Sequence, residues 1–221
     1  MRLQRRLRTI RERSRARTDP ATNTVLDRIT ADLKARGAEF AALRPGMMAP
    51  DFALPDQIGR MVSLFDRLAA GPVVLVFYRG EWCPYCCAQL RALQVHLPAI
   101  RGAGANLVAV SPEDPDRSLT LPERNALDYA VLTDRGFAVA RRYGLVYRVP
   151  DALRAIYLQA GLDLGARNGQ APGEPWELPI PATFIVAPTG AILYARVDPD
   201  VTQRPEPQTV VDILLAREAA R

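Results

Sequence analysis

The sequence predicts an α/β domain with helices flanking a central sheet, preceded by a helical extension. Three observations predict it. Val73, Val74, Leu75, Val76 and Phe77 form a continuous apolar, β-branched run between Gly71-Pro72 and Arg79-Gly80, the pattern of a strand buried on both faces. From Pro84 the apolar period becomes helical: Leu90, Leu93, Leu97 and Ile100 recur on one side, with Gln89, Arg91, Gln94 and Arg101 elsewhere around the surface. Asn106 to Ser111 is a second buried run, and strand, helix, strand at this spacing favours a parallel, right-handed crossover.

Size and composition bound the rest. A chain of 221 residues with 48% hydrophobic content is long enough for one substantial core plus an appendage, so one domain is expected. No apolar run approaches the roughly 18 residues of a membrane span, and no membrane partner is expected. Three cysteines, two of them three residues apart and the third adjacent, do not make the disulfide framework of a secreted fold. A reducing, cytoplasmic compartment fits better. The net charge of +5 is misleading as an average: residues 1 to 17 hold eight arginines against Glu12, an excess of seven that leaves −2 for the remainder. A nucleic-acid partner does not follow from so local a charge.

In chain order, residues 1–20 read as a basic flexible tail, with a mis-assigned start or an organelle-type presequence as the other readings. Residues 21–45 carry Val25, Leu26, Ile29, Leu33 and Phe40 at the spacing of an amphipathic helix, interrupted at Gly37, that packs on the main domain or on a second subunit. The main domain spans 46–221. Phe52-Ala53-Leu54 and Met61-Val62-Ser63-Leu64 flank Gln57-Ile58-Gly59 as a hairpin. Pro98 is a point where the helix after Pro84 can kink. Ser111 to Pro115 opens a loop, Leu121 to Asp128 is read as a short helix, Val131-Leu132 as a short strand and Phe137 to Tyr143 as helical. Within the less regular residues 144–178, Ala152 to Ala160 is read as a helix and Gly161 to Pro175 as a loop, either a lid over the site or a surface excursion. Thr183 to Val186 and Ile192 to Val197 are strands joined at Pro188-Thr189-Gly190, and Thr209 to Glu218 is a helix covering one sheet face.

The chemistry sits where the apolar strand runs into Arg79-Gly80-Glu81-Trp82-Cys83-Pro84-Tyr85-Cys86. Pro84 suits a first helical turn, so the helix begins near Cys83. Unpaired amides and the helix dipole place partial positive charge there, which lowers a thiol's pKa from its free value of about 8.5. Cys83 and Cys86, at i and i+3, share one face of that turn and can close a disulfide. Redox cycling is the functional reading; inert buried thiols and half of a zinc site, with Cys87 and His96 as the remaining soft ligands, are the others. No metal and no cofactor are expected.

Trp82-Cys83-Pro84-Tyr85-Cys86 after a buried strand resembles the active site of the thioredoxin superfamily, in the Cys-Pro-Tyr-Cys form of glutaredoxins. The rest of the chain, about residues 45 to 215, resembles peroxiredoxins of the alkyl hydroperoxide reductase and thiol-specific antioxidant family. Ala49-Pro50-Asp51-Phe52-Ala53-Leu54-Pro55-Asp56 is similar to their opening segment, Val108-Ala109-Val110-Ser111 to their next strand and Ala182-Thr183-Phe184-Ile185-Val186 to their late core strand. The resemblance implies a thioredoxin-like fold with a mixed sheet, catalytic Cys83 and Cys86, and a substrate region of Arg79, Trp82, Pro84, Tyr85 and Pro181. It also implies a peroxide or disulfide substrate and a thiol reductant such as the thioredoxin or glutathione system. Pro181 matches the position of the superfamily's cis-proline, so a cis peptide is expected there, against an ordinary trans proline starting a strand.

Two enzymatic readings share these residues. In a typical peroxiredoxin the attacking cysteine follows a threonine by three residues and a proline by seven, and a late-strand arginine polarises the peroxide. Cys86 then takes the attacking position, Cys83 replaces the threonine, Arg79 the proline and Pro181 the arginine. In this reading Arg79 either substitutes for the missing guanidinium or is an ordinary surface or salt-bridging arginine, and Cys83 captures the sulfenic acid. In the thioredoxin-type reading Cys83 attacks a disulfide and Cys86 resolves it. Trp82 and Tyr85 line a groove or simply pack, Cys87 points about 100° away from Cys86 as a small hydrophobe, and His96 is structural. A non-catalytic module that binds an acidic partner through its Arg-rich tail, a structural-only fold, and a homodimer are further expectations.

Overall fold

The computed structural model describes residues 2–113 and 127–218. The Arg-rich segment is not a flexible tail: Leu3–Arg17 forms helix α1, whose Leu3 and Leu7, one turn apart, are buried. Helix α2, Pro20–Ala35, starts with Pro20 in its first turn and with Asp19 accepting a hydrogen bond from the Thr22 amide at 2.9 Å. It ends before Gly37, whose left-handed φ of 63° breaks the chain into a short 3-10 turn at Ala38–Ala41, as the sequence suggests.

The hairpin pairs β1, Ala53–Pro55, with β2, Met61–Ser63. Leu64, expected at the end of that strand, instead opens α3, Leu64–Ala69, because the Ser63 hydroxyl accepts from the Asp66 amide and caps a helix. Strand β3, Val73–Phe77, leads through the cysteine turn into α4, Pro84–Gly102, which continues through Pro98 as one helix. Then come β4, Asn106–Ser111, and β5, Ala130–Thr133. The expected helix from Leu121 to Asp128 lies largely outside the described residues. Ala138–Arg142 is α5.

The stretch from 144 to 178 is more regular than its sequence suggests. Strand β6, Val146–Arg148, is followed by α6, Asp151–Gln159, and α7, Leu164–Arg167, and returns in β7, Glu177–Pro179, which pairs antiparallel with β6. The residues read as a loop therefore include a helical turn packed inward, with Leu164, Gly165 and Asn168 buried. Glycine and proline content signalled loop, but burial of Leu164 against Trp176 and Leu178 decided the conformation. Strands β8, Ala182–Val186, and β9, Ile192–Val197, and helix α8, Pro207–Glu218, complete the chain. The bond before Pro181 is trans: no cis peptide occurs among the described residues, so that expectation is corrected.

The main sheet has the order β5-β4-β3-β8-β9, with β3, β4 and β5 parallel and β8 and β9 antiparallel to their neighbours, a mixed sheet as expected. The period of two divides β3 between two cores. Val73, Leu75 and Phe77 pack with Val108, Val110, Leu132, Phe184 and Tyr143 on one face. Val74, Val76 and Tyr78 pack on the other with Leu90, Leu93 and Leu97 of α4 and with Val210, Val211 and Leu214 of α8. Helix α1 then covers the outer side of α4, where Leu3 and Leu7 meet Ala88, with Tyr85, Ala92 and Ile10 at the edge. Each fully buried leucine there contributes about 1.5–3 kcal/mol, which offsets the ordering of an otherwise highly charged helix.

Candidate active site

Cys83 is the N-cap of α4, with φ −91° and ψ 105°, and its sulfur accepts the Cys86 amide at 3.4 Å. The helix start that Pro84 predicts is thus the element that aims a free amide at a thiol. The Cys86 thiol donates to the Cys83 sulfur at 2.7 Å, so both sulfurs face each other in the reduced protein. Two guanidinium groups flank them. Arg79 Nη2 donates to Cys83 Sγ at 3.4 Å, and Arg204 Nη2 lies 4.0 Å from Cys86 Sγ.

These contacts split the two thiols. Burial would push Cys83 up, but the Cys86 hydrogen bond, the charges of Arg79 and Arg204 and the Arg79 hydrogen bond outweigh it and hold Cys83 well below the usual thiol range. Burial raises Cys86 far above that range, its donation to Cys83 and the charge there add to the rise, and the two arginines only partly oppose it. The contacts thus make Cys83 the more acidic thiol and Cys86 the one that keeps its proton. Both sulfurs are 0% exposed, which confines access to small reactants unless the first turn of α4 opens.

Of the predicted site residues, Arg79 is buried and is held by Tyr157, whose hydroxyl accepts from Nη1 at 3.2 Å; its guanidinium also lies 4.7 Å from the Trp82 ring centroid. Trp82 is half-buried and meets Tyr157 edge-on at 5.3 Å. Tyr85 is half-buried under α1, and Pro84 is exposed at the helix start. Pro181 immediately precedes β8, whose Ala182 pairs with Phe77 at the end of β3. Cys87 is half-buried, donates to the Glu81 carbonyl at 3.1 Å, and burial pushes its thiol up to about 12, so it is the least reactive form of a cysteine at neutral pH. The His96 ring lies 2.9 Å from the Ala92 carbonyl, one turn back on its own helix. Among the described residues no three His, Cys, Asp or Glu side chains converge as metal ligands do.

Sequence reasoning missed Arg204 and Glu113. Glu113 is fully buried: one carboxylate oxygen accepts the Glu81 amide at 2.6 Å and the other pairs with Arg167 at 3.3 Å, which ties the cysteine loop to α7. Gly80, at φ 141°, makes that possible, because a Cβ there would stand 2.5 Å from the Trp82 indole nitrogen and 3.0 Å from the Glu113 carboxylate. Glu113 follows the C-terminal end of β4, where α/β sheets place their sites, and that signal was available. Arg204 sits in an irregular stretch 118 residues from Cys86, and nothing local marks it.

The model of the AhpC/TSA family matches residues 45–195. The chain belongs to the AhpC/TSA family. A chloroplastic peroxiredoxin Q from Gentiana triflora is 32% identical to this AhpC/TSA chain over 111 residues, 50% of this chain and 51% of that protein. Peroxiredoxin Bcp of Escherichia coli (strain K12) is 29% identical over 103 residues, 47% and 65% of the two lengths. The chain thus spans about half the length of the first of these relatives and under two thirds of the second. The crystal structure of peroxidoxin BcpB from Mycobacterium tuberculosis superposes with a TM-score of 0.61 at 21% identity, covering 79% of this chain and 97% of that one. Peroxiredoxin Q of Xanthomonas campestris gives a TM-score of 0.58 at 17% identity, covering 80% and 98%. At these identities the structural likeness is one of fold, and it confirms the thioredoxin-like, mixed-sheet architecture of the AhpC/TSA chain.

Proposed function

We propose that the chain is a thiol-dependent peroxidase in which Cys83 attacks and Cys86 resolves. The observation that carries this reading is the charge-assisted cradle on Cys83: Arg79 Nη2, the Cys86 amide and the Cys86 thiol all donate to one sulfur. The Cys83 thiolate attacks one peroxide oxygen, the O–O bond breaks, and the departing alkoxide or hydroxide takes a proton to leave as alcohol or water. The Cys86 thiol then condenses with the Cys83 sulfenic acid, releasing water and closing the disulfide. Two electrons pass from the thiols to the peroxide, and an external thiol such as thioredoxin or glutathione returns them. The AhpC/TSA family and the peroxiredoxin Q and Bcp relatives support the peroxide as oxidant. So does the complete burial of both sulfurs, which admits a peroxide more readily than the disulfide of a folded protein. Arg79 and Arg204 each keep a buried Nε without a partner among the described residues, donor capacity suited to a developing oxyanion.

This assignment reverses the roles that alignment with a typical peroxiredoxin gives the two cysteines, and the reason is electrostatic: Cys86 holds the proton. Reduction of small disulfides is the second reading, favoured by the thiolate at the N-terminal cysteine of the pair. Stopped-flow Trp82 fluorescence of the reduced protein mixed with hydrogen peroxide tests both. A fast phase that vanishes in Cys83→Ser and persists in Cys86→Ser is expected. Its loss in Cys86→Ser alone would make Cys86 the attacker, and slow peroxide oxidation beside rapid oxidation by a disulfide would replace the first reading with the second.

A further inference from the structure

Helix α1 packs against the early turns of α4 and sets Arg8 and Arg11 beside the segment that leads to Arg204. A cavity of about 210 Å³ lies between α1 and the chain just before Arg204, lined by Gln4, Arg8, Arg11, Thr202 and Gln203. Its wall is fixed to the redox centre at two points. The Gln4 side-chain amide donates to the Arg204 carbonyl, and Arg204 itself reaches Cys86. The Glu206 carboxylate accepts the Leu3 and Gln4 amides, both at 2.9 Å, which anchors the start of α1 to the same segment. Tyr85 feels both sides electrostatically: it packs against Leu3 and Leu7, and its hydroxyl, raised by burial and by Cys83, is pulled down by Arg11 and Arg79. Arg11 and Cys83 thus lie within electrostatic reach of one tyrosine.

Two carboxylates, Asp27 and Asp200, act on Arg11 without closing a short pair with it. Asp27 is held by Arg15 at 2.8 Å and touches Arg11 only at 4.0 Å. Asp200 accepts the Thr202 amide at 2.9 Å and its hydroxyl at 2.7 Å. Among the described residues no carboxylate pairs with Arg8. Two guanidiniums, the Gln203 amide and the second N–H of the Gln4 amide around a small cavity make a donor set that recognises a carboxylate; the Thr202 hydroxyl is already given to Asp200.

We propose that this cavity is a carboxylate subsite that docks the acidic end of the small thiol that reduces the Cys83–Cys86 disulfide. The inference rests on the redox reading of the cysteine pair and adds the chemical class of its reductant. The thiol's sulfur attacks Cys83 and forms a mixed disulfide, and the Cys86 thiolate leaves and takes a proton. A second equivalent attacks the mixed disulfide, frees the Cys83 thiolate and departs as the oxidised dimer, so two thiols are oxidised for one protein disulfide reduced.

Two probes differing only in the acidic end test it: 3-mercaptopropionate and 3-mercapto-1-propanol, each mixed with the fully oxidised full-length protein while Trp82 fluorescence follows reduction. The carboxylate thiol is expected to react about tenfold faster, equivalent to about 1.4 kcal/mol. That preference should shrink at 0.5 M salt and disappear in Arg8→Gln/Arg11→Gln, with the neutral thiol's rate unchanged. Equal rates in the parent protein overturn the subsite. So does a double variant that slows both thiols alike, because α1 would then act only as structure. Failure of the pair to form any disulfide with peroxide or with a small disulfide instead overturns the redox reading on which the inference rests.

Discussion

Replacing Arg79 by Gln isolates the electrostatic part of the site. Arg79 donates to the Cys83 sulfur at 3.4 Å from a buried position, and hydrogen bonds to charged groups contribute about 1.5–3 kcal/mol net. At a pH below the Cys83 titration itself, losing that contact lowers the thiolate population about ten- to a hundredfold, at 1.4 kcal/mol per decade. Roughly half of the loss in logarithm returns, because a more basic thiolate is the stronger nucleophile. Alkylation of Cys83 by iodoacetamide at a pH below the parent's thiolate midpoint, read by peptide mass mapping in a Cys87→Ser background, should therefore slow about three- to tenfold. The thiolate absorbance at 240 nm should titrate at a higher pH than in the parent. Arg79→Lys, which keeps the charge and loses the planar fork, should fall between. Arg79→Gln also forfeits the Trp82 and Tyr157 contacts, so thermal unfolding is recorded beside each variant. An unchanged absorbance midpoint with intact folding would refute the argument that Arg79 holds Cys83 as a thiolate.

The same logic gives the reduced protein a bell-shaped stability profile. Unfolding must return a proton to Cys83, so stability rises with pH from its lowered value up to the ordinary thiol value of about 8.5; above that, unfolding releases the proton Cys86 keeps, and stability falls. Urea titrations across that range should show both slopes, and the oxidised protein should lose the rising one and keep only the shallower fall that Cys87, pushed up by burial, still contributes. Gly80→Ala should cost about 1–3 kcal/mol from its positive φ and displace Trp82, seen as a lower Tm together with an altered fluorescence of the reduced form. Leu7→Ala removes the residue that seats α1 and should cost about 2–5 kcal/mol if the helix stays docked, less if it detaches; limited proteolysis within residues 1–19 distinguishes the two. Glu113→Gln removes the charge facing Arg167 while keeping an acceptor for the Glu81 amide, so peroxide oxidation should slow more than folding is weakened; an unaltered rate would leave Glu113 a purely structural tie.

The strand, the helix after it and the cysteine pair were legible because each rests on local chemistry. β3 is apolar on both faces, Pro84 needs no amide partner, and the N-cap position follows from both. The neighbouring strand β4 was predicted at its observed bounds for the same reason. Elements whose conformation is set by distant partners were not legible. The β6–β7 pair spans 31 residues between Val146 and Glu177 and closes around Trp176, and α7 exists because Leu164 buries there. The Arg-rich α1 reads as a solvated tail because two leucines in fifteen residues carry its docking, and their surface on α4 is invisible before the fold is known.

Arg204 shows why a family motif and a family site need not coincide. Aligned on sequence, Pro181 occupies the place of the peroxiredoxin arginine, and the peroxide-activating set is incomplete. In space the charge arrives from the segment between β9 and α8, and a second guanidinium, from the residue two after β3, takes the other sulfur. Both arginines are nearly fully buried, and the charge of each favours the Cys83 thiolate. Closing the disulfide removes the thiolate's charge and leaves two buried guanidiniums facing a neutral sulfur pair, an arrangement that costs desolvation without Coulombic return. The reduced state is thereby favoured, and the disulfide should be oxidising, as expected wherever a thiolate is selectively stabilised. Equilibration with glutathione redox buffers measures this directly: Arg204→Gln should make the disulfide harder to reduce, and a potential unmoved by that substitution would show that Arg204 positions Cys86 without stabilising the pair's charge.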